Sequence, residues 1–309
     1  GNSLVLNIDS SLQEEIYAEL SRALKEAGSK SGVAVATDPR DGRVLALVSL
    51  PSYDNNSFVK DLSQEGYKLL FENKNEPFFN RVISGRFAAG STIKPLIALA
   101  ALEEDVIASE KKINAPGFIT IPNPYNPEVI YTFRDWRNHG WVNLKEAIAY
   151  SSDIYFYTVG GGYYDVKGLG IERLAKYFKM FKLDSVLGID LNGELAGFVP
   201  TPEWKRESKK EIWYQGDTFN VSIGQGDLLV TPLWLNAYIA AIGSGNLFKP
   251  FIADKVLDSK GNLIKLFQPE IVFELLFNKD NLKTVREGMK MAAEVGTAKV
   301  LSDLPFEVG

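Results

Sequence analysis

Three serine residues are each followed by a lysine three positions later, a spacing that can support nucleophilic catalysis. On a helix, side chains three residues apart share a face, with Cβ atoms about 5–6 Å apart. A lysine that is partly buried there can lose its proton and then act as the base that activates the serine. The pairs are Ser57 and Lys60, Ser91 and Lys94, and Ser109 and Lys112.

The surrounding sequence favours Ser91 over the other two serines. Ser57 lies in a polar region without periodicity, and Ser109 lies in a charged surface turn. Ser91 follows Gly90, which allows a tight turn of the backbone, and Pro95 is tolerated in the first turn of the apolar helix that comes next. We therefore expect Ser91 at a helix N-terminus, where the helix dipole stabilises developing negative charge. The alternative is that Ser91 only caps this helix.

A second polar cluster, Ser151-Ser152-Asp153, follows a helix that we expect over 143–150, with Asn143 as its N-cap. Two hydroxyls and a carboxylate at a helix end could relay a proton during catalysis. The same residue types are also typical of an ordinary turn. Taken alone, the cluster favours the turn.

The composition excludes several classes of protein. The 309 residues include no Cys and a single His, His139, which rules out thiol catalysis and a multi-His metal site. With 34 Lys and Arg against 39 Asp and Glu, the net charge of -5 argues against a nucleic-acid partner. No apolar run approaches the roughly 20 residues of a membrane-spanning helix. Nothing in the sequence indicates a cofactor.

Periodicity and turn signals predict an α+β fold, with helices and a few strands interleaved around long irregular connections. We expect a helix over 9–28, with Ser11 and Glu14 as a capping box and Gly28 in the left-handed stop position. Strands over 32–37 and 43–50 should form a hairpin around the turn 38–42. Further helices are expected over 91–104, 169–181, 231–242 and 281–294, and a second hairpin over 251–266.

Taken in their order along the chain, the sequence motifs resemble the transpeptidase domain of class B penicillin-binding proteins. The most similar group is the penicillin-binding protein 2 type, which acts in cell-wall elongation. The segment Gly90-Ser91-Thr92-Ile93-Lys94-Pro95 resembles the family's Ser-x-x-Lys motif, and Ser151-Ser152-Asp153 resembles its Ser-x-Asn/Asp motif. Segments 213–218, 222–226 and 231–232 are similar to a long class B signature, which argues against a β-lactamase or a β-lactam sensor of the same fold. Weaker matches are Pro51-Ser52-Tyr53-Asp54, His139-Gly140 and Gly188-Ile189-Asp190-Leu191.

The resemblance implies a role for each of four residues. Ser91 would attack the D-Ala-D-Ala amide of a peptidoglycan stem peptide, and Lys94 would be the general base. Ser151 would relay the proton to the leaving D-Ala, and Asp153 would hold Lys94 and the substrate amide. β-Lactam antibiotics would acylate Ser91 by the same route.

The family also needs a third motif, Lys-Thr/Ser-Gly, on a strand that lines the site. We do not find this motif, although Glu294-Val295-Gly296-Thr297-Ala298 resembles the segment that precedes it in relatives. We therefore expect the motif just beyond Gly309, with the last strands of the sheet, and a chain ending there to be severely impaired. A non-catalytic cell-wall scaffold is the alternative. The expected layout is one transpeptidase domain over 1–309, with a sheet part over 1–50 and about 245–309 and a mostly helical part over about 51–244.

The resemblance implies a cellular setting as well. The full-length protein would be anchored by an N-terminal helix at the extracytoplasmic face of the bacterial inner membrane, next to a membrane-embedded SEDS glycan polymerase. Some relatives bind zinc near His139, but one His with Asp135 is a poor zinc site. We therefore expect His139 to be structural and predict no metal.

Overall fold

The computed structural model describes residues 1–58 and 64–309, which divide into two compact units. Unit 1 comprises Gly1–Phe87, Phe181–Gly197 and Val230–Leu275, and unit 2 comprises Ala88–Met180, Phe198–Leu229 and Leu276–Gly309. This division differs from the expected layout of sheet and helical parts. Residues 51–87 and 230–244 lie with the strands of unit 1, whereas 276–309 lie with the helices of unit 2.

The elements are as follows. Helices are α1 (Ser10–Ala27), α2 (Gln64–Phe71), α3 (Arg81–Ser84), α4 (Lys94–Glu103), α5 (Leu144–Ala149), α6 (Asp153–Gly161), α7 (Gly170–Met180), α8 (Pro202–Lys209), α9 (Gln215–Ser222), α10 (Pro232–Ser244) and α11 (Lys279–Glu294). Strands are β1 (Ser3–Leu6), β2 (Gly32–Thr37), β3 (Val44–Leu50), β4 (Ile113–Ala115), β5 (Phe118–Pro122), β6 (Ile130–Arg134), β7 (Gly140–Val142), β8 (Asn246–Phe248), β9 (Ala253–Leu257), β10 (Leu263–Leu266) and β11 (Ile271–Glu274). Short 3₁₀ turns cover Asn55–Phe58, Gly90–Ile93 and Lys299–Leu301.

Unit 1 contains both predicted hairpins. β2 pairs antiparallel with β3, Gly32 lying opposite Leu50, and β3 alternates buried and half-buried residues as a sheet strand covered on one face should. β1, β9 and β10 form a second antiparallel sheet, and β8 pairs with β11. Helix α1 packs on β2 and β3, and α10 packs on β2 and β8.

Helix α1 begins two residues earlier than its expected capping box requires. Its N-cap is Asp9, whose carboxylate accepts a hydrogen bond from the backbone of Leu12 at 3.1 Å. The expected box of Ser11 and Glu14 is therefore wrong, because Ser11 already lies inside the helix. Gly28 ends the helix at φ +64°, as predicted.

In unit 2, the helix α4 lies at the centre and is buried from Lys94 to Leu102. Helices α5, α6, α7 and α11 all pack against it. The apolar character of α4 on every side follows from this position, since it has no face toward solvent. Helix α6 packs closely on α9, where a Cβ at Gly160 would lie 1.8 Å from the Ser222 hydroxyl.

The capping box at Asn143 is the best-defined local signal in unit 2. Asn143 Oδ1 accepts from the Glu146 backbone at 3.0 Å, and Glu146 Oε2 accepts from the Asn143 backbone at 2.8 Å. Replacing Asn143 by Ala should lower the free energy of unfolding by about 1 kcal/mol, measured by urea denaturation. Asn126→Ala, at an exposed loop position, is the control and should change it by less than about 0.5 kcal/mol. Equal effects of the two substitutions would contradict the capping role.

Within the part of the chain that the structure describes, no helix combines the length and the apolar character needed to cross a membrane.

Candidate active site

Ser91 lies in the 3₁₀ turn Gly90–Ile93 that leads directly into α4. Gly90 adopts φ +57°, the left-handed conformation that glycine tolerates best, and its N–H donates to the Gly224 carbonyl at 2.9 Å. The Ser91 side chain is exposed, and among the described residues none forms a hydrogen bond with its hydroxyl. The N-cap of α4 is Ile93, without a side-chain cap, so the capping alternative for Ser91 is wrong.

Lys94 is the first residue of α4, and only 1% of it is exposed. Its Nζ donates to the Ser151 carbonyl at 2.8 Å, to Ser151 Oγ at 3.0 Å and to Asp153 Oδ1 at 2.6 Å. The Phe156 ring centroid lies 5.5 Å from the same nitrogen. The structure therefore brings three of the four predicted site residues into direct contact, and Ser91 lies three residues from the lysine at their centre.

Burial sets the electrostatics of this contact. Burial lowers the pKa of Lys94, and the nearby charges of Asp153 and Asp135 oppose that shift. Burial likewise raises the pKa of Asp153, against the opposing charge of Lys94. Both directions favour the neutral forms, because desolvation penalises a charge. Lys94 is therefore closer than a surface lysine to the state in which it can accept a proton near neutral pH.

Ser151 adopts a backbone conformation that non-glycine residues rarely take, with φ +54°. Two side chains hold its carbonyl: Lys94 Nζ at 2.8 Å and Trp136 Nε1 at 3.3 Å. The left-handed turn directs the Ser151 hydroxyl toward Lys94 while the carboxylate of Asp153, in the first turn of α6, reaches the same nitrogen. A hydroxyl, an amine and a carboxylate are thus arranged for proton transfer.

The other two Ser and Lys pairs do not form comparable sites. Ser109 is half-buried in a turn, with its hydroxyl 3.5 Å from Glu110, and Lys112 is exposed, 4.0 Å from Glu146. Lys60 lies outside the described residues, so the pair with Ser57 stays untested.

Comparison with known proteins identifies a family for the chain. A family model described as the penicillin binding protein transpeptidase domain matches residues 32–308. The chain belongs to this family. The curated peptidoglycan D,D-transpeptidase MrdA of Haemophilus influenzae is 37% identical over 276 residues, which are 88% of this chain and 39% of that protein. The chain thus spans well under half the length of that relative.

Solved structures give the same family and fold. PBP2 of Pseudomonas aeruginosa, in complex with WCK 5153, matches with a TM-score of 0.83 and 33% identity over 99% of this chain and 66% of that one. PBP2 of Helicobacter pylori, in a complex with MreC, matches with a TM-score of 0.75 and 31% identity over 93% of this chain and 49% of that one. The expected α+β transpeptidase fold and the resemblance to the penicillin-binding protein 2 type are confirmed.

The first two segments that resemble the class B signature, 213–218 and 222–226, cover both ends of α9, the two residues before it and the turn after it. Trp213 Nε1 donates to Thr218 Oγ1 at 2.9 Å, at the start of that helix. Gly224 adopts φ +72° and lies so close to Gly90 that a Cβ would be 2.2 Å from the Gly90 carbonyl oxygen. The signature therefore supports the turn that carries Ser91, a role that the sequence analysis did not assign to it.

The third transpeptidase motif has no counterpart among residues 154–309, which contain no Lys-Thr-Gly or Lys-Ser-Gly. The Gly-Thr segment of 294–298 lies beside the second motif, since the Thr297 N–H donates to the Ala149 carbonyl at 3.0 Å. The tripeptide Lys30-Ser31-Gly32, which the sequence analysis overlooked, matches the motif in its residue types. It joins α1 to β2 in unit 1 and precedes Ser91, the reverse of the family's order. The position of the third motif stays a prediction.

His139 contacts Asp135, with its Nε2 3.2 Å from Asp135 Oδ1, and both side chains are fully buried. Among residues 1–58 and 64–309, no group of three or more His, Cys, Asp or Glu side chains could hold a metal ion. Sequence reasoning named both residues but missed the hydrogen bond that Asp135 accepts from Ser152 of the second motif. The only local signal was a polar, Trp-rich stretch at 135–141.

Proposed function

We propose that this chain is the catalytic domain of a D,D-transpeptidase that cross-links peptidoglycan stem peptides during cell-wall elongation. The contact of the buried Lys94 amine with Ser151 and Asp153, at the end of the turn that carries Ser91, is the observation that carries the proposal. The identity of 37% to a relative named peptidoglycan D,D-transpeptidase MrdA supports the reaction and the elongation type.

The chemistry follows from these groups. The Ser91 hydroxyl oxygen attacks the carbonyl carbon of the D-Ala-D-Ala amide, and its proton passes to neutral Lys94. The C–N bond then breaks, and the leaving D-Ala amine takes a proton through the Ser151 hydroxyl. This leaves an acyl-enzyme ester on Ser91. An amine of a second stem peptide attacks that ester, forms the new amide and restores the Ser91 hydroxyl.

The proposal extends to ligands and setting. A β-lactam presents a strained amide to the same serine, so its ring opens onto Ser91 and the ester persists. The full-length protein would act at the extracytoplasmic face of the inner membrane together with a SEDS glycan polymerase. Binding of MreC by the related PBP2 of Helicobacter pylori supports a place in a cell-wall assembly.

The test is the mass of the intact protein before and after incubation with benzylpenicillin. The protein is prepared with any native flanking sequence retained, since residues 154–309 carry no third motif. We expect a gain of one drug molecule, which peptide mapping assigns to Ser91 and not to Ser109, the half-buried serine of the same spacing. A stable adduct supports a transpeptidase, whereas rapid release would favour a β-lactamase.

The second candidate is a non-catalytic cell-wall scaffold of the same fold. Its support is the absence of a Lys-Thr/Ser-Gly motif after Asp153. If no adduct forms on Ser91 in the protein with its flanking sequence, the catalytic proposal fails and the scaffold is favoured.

A further inference from the structure

Asp135 lies in the loop between β6 and β7, where its side chain is fully buried and accepts four hydrogen bonds. Oδ2 accepts from Ser152 Oγ at 2.9 Å and from the Ile154 N–H at 3.0 Å. Oδ1 accepts from the Trp136 N–H at 2.8 Å and contacts His139 Nε2 at 3.2 Å. The carboxylate therefore binds the residues on both sides of Asp153 without contacting Asp153 itself.

The hydrogen bonds of His139 define its tautomer. Arg137 Nε lies 3.2 Å from His139 Nδ1, and a guanidinium can only donate, so Nδ1 accepts. The proton of the neutral ring is then on Nε2, which donates to Asp135 Oδ1. Arg137 thus donates to His139 and His139 donates to Asp135, which also accepts a hydrogen bond from Ser152 of the second motif.

The neighbouring Trp136 contacts the same turn from the same loop. Its Nε1 donates to the carbonyls of Tyr150 and Ser151 at 3.2 and 3.3 Å. The Arg137 guanidinium lies over the Trp136 ring at 4.6 Å and over the Tyr150 ring at 5.1 Å. The loop 135–139 therefore holds the backbone on both sides of Ser151, whose left-handed conformation needs such support.

We propose that Asp135, oriented by His139, is a positioning residue that holds Ser151 and Asp153 against Lys94. The proposal rests on the proposed function, since it concerns the acylation of Ser91. Without this support, the left-handed backbone at Ser151 would relax to a more common conformation. The Ser151 hydroxyl and the Asp153 carboxylate would then move away from the Lys94 amine. Asp135 acts through these residues and does not touch a substrate.

The charge of Asp135 supplies a readout that a purely structural residue would not have. The titratable and charged groups that face Lys94 are Asp153, Asp135 and, through Asp135, His139 and Arg137. Burial lowers the pKa of Lys94, and the negative charge of Asp135 opposes that shift. Removing this charge should lower the Lys94 pKa further, so the rate of acylation should begin to rise at a lower pH.

The experiment compares Asp135→Asn with the unaltered protein in stopped-flow acylation by a fluorescent penicillin across pH. We expect the maximal acylation rate to fall roughly 10²-fold, as for a catalytic group displaced by about 1 Å. We also expect the rising limb of the pH–rate profile to shift to lower pH. Asp165→Asn, which removes an exposed carboxylate paired with Lys111, is the matched control and should change neither quantity.

A second variant separates geometry from charge and protects the test against misfolding of Asp135→Asn. Ser152→Ala removes the hydrogen bond to Asp135 and the N-cap bond from the Tyr155 N–H but keeps the charge of Asp135. The maximal rate should therefore fall, while the rising limb of the pH–rate profile stays at the same pH. The positioning role would be overturned if Ser152→Ala kept the maximal acylation rate of the unaltered protein. It would also be overturned if a folded Asp135→Asn protein kept both that rate and the pH at which acylation begins to rise. If the unaltered protein itself is not acylated, the proposed function fails, and that outcome is seen before any variant is examined.

Discussion

Replacing Lys94 by Met should lower the rate at which benzylpenicillin acylates Ser91 by roughly 10²- to 10⁴-fold, the usual contribution of a general base. Methionine fills a similar apolar volume but cannot accept the serine proton. The amine that contacts Ser151 Oγ at 3.0 Å and Asp153 Oδ1 at 2.6 Å is lost. The intact-mass time course measures the effect directly.

A matched control exists in the same unit. Lys205 is another buried lysine, 5% exposed, and it pairs with Asp217 at 2.7 Å. Lys205→Met removes a comparable ion pair that does not include a residue of the Ser91 site. The variant should therefore be less stable, but its Ser91 should still be acylated. If benzylpenicillin acylated the Lys94→Met and Lys205→Met proteins at the same rate, Lys94 would not be the general base.

Lys94→Met should also change how stability depends on pH. Asp153 loses its ion-pair partner, but 20% of its side chain is exposed. We therefore expect the free energy of unfolding to fall by about 2–3 kcal/mol near neutral pH, less than when a fully buried pair is broken. Burial already raises the pKa of Asp153, and removal of the ammonium raises it further. A carboxyl with a raised folded-state pKa stabilises the fold below its unfolded pKa of about 3.9, and this contribution is lost as pH rises. The deficit of the variant should therefore be larger at about pH 8 than at about pH 4, which urea denaturation at the two values can check.

Replacing Gly224 by Ala should impair both folding and acylation. A Cβ there would lie 2.2 Å from the Gly90 oxygen and 2.6 Å from the Gly90 nitrogen, so the two backbone segments must separate. The hydrogen bond from the Gly90 N–H to the Gly224 carbonyl would be disrupted, and the turn that carries Ser91 would move. We expect a loss of about 2–4 kcal/mol from overpacking and the left-handed φ together. A displacement of about 1 Å should lower acylation by roughly 10²-fold.

Gly170→Ala isolates the conformational part of this effect. Gly170 has φ +75°, nearly that of Gly224, but no atom lies within 4 Å of where its Cβ would be. We expect it to lose about 1 kcal/mol and to keep its acylation rate. Equal losses in Gly170→Ala and Gly224→Ala would show that the approach to Gly90 is unimportant.

Local signals in the sequence were enough to place most helices and the strands of both hairpins. The caps Asn143 and Thr231 and the stop at Gly28 are interactions within a few residues, so short stretches of sequence encode them. Helices α6 and α9 are two of the helices that were missed, because α6 is buried almost all round and α9 follows an irregular aromatic segment. Neither shows the one-sided apolar pattern by which a surface helix is recognised. The placement of 276–309 with the helical unit was also missed, since it depends on the packing of α11 against α4 and α5.

The sequence by itself determined that Ser91 and Lys94 lie one helical turn apart, because that relation depends only on local geometry after Gly90. The tertiary structure alone decided what surrounds Lys94. Ser151 and Asp153 reach its amine from 57 and 59 residues away. Asp135 and His139, which hold that second turn, show no such role in any local pattern. Burial of the lysine, and with it the lowered pKa that the chemistry needs, exists only after distant segments have excluded water.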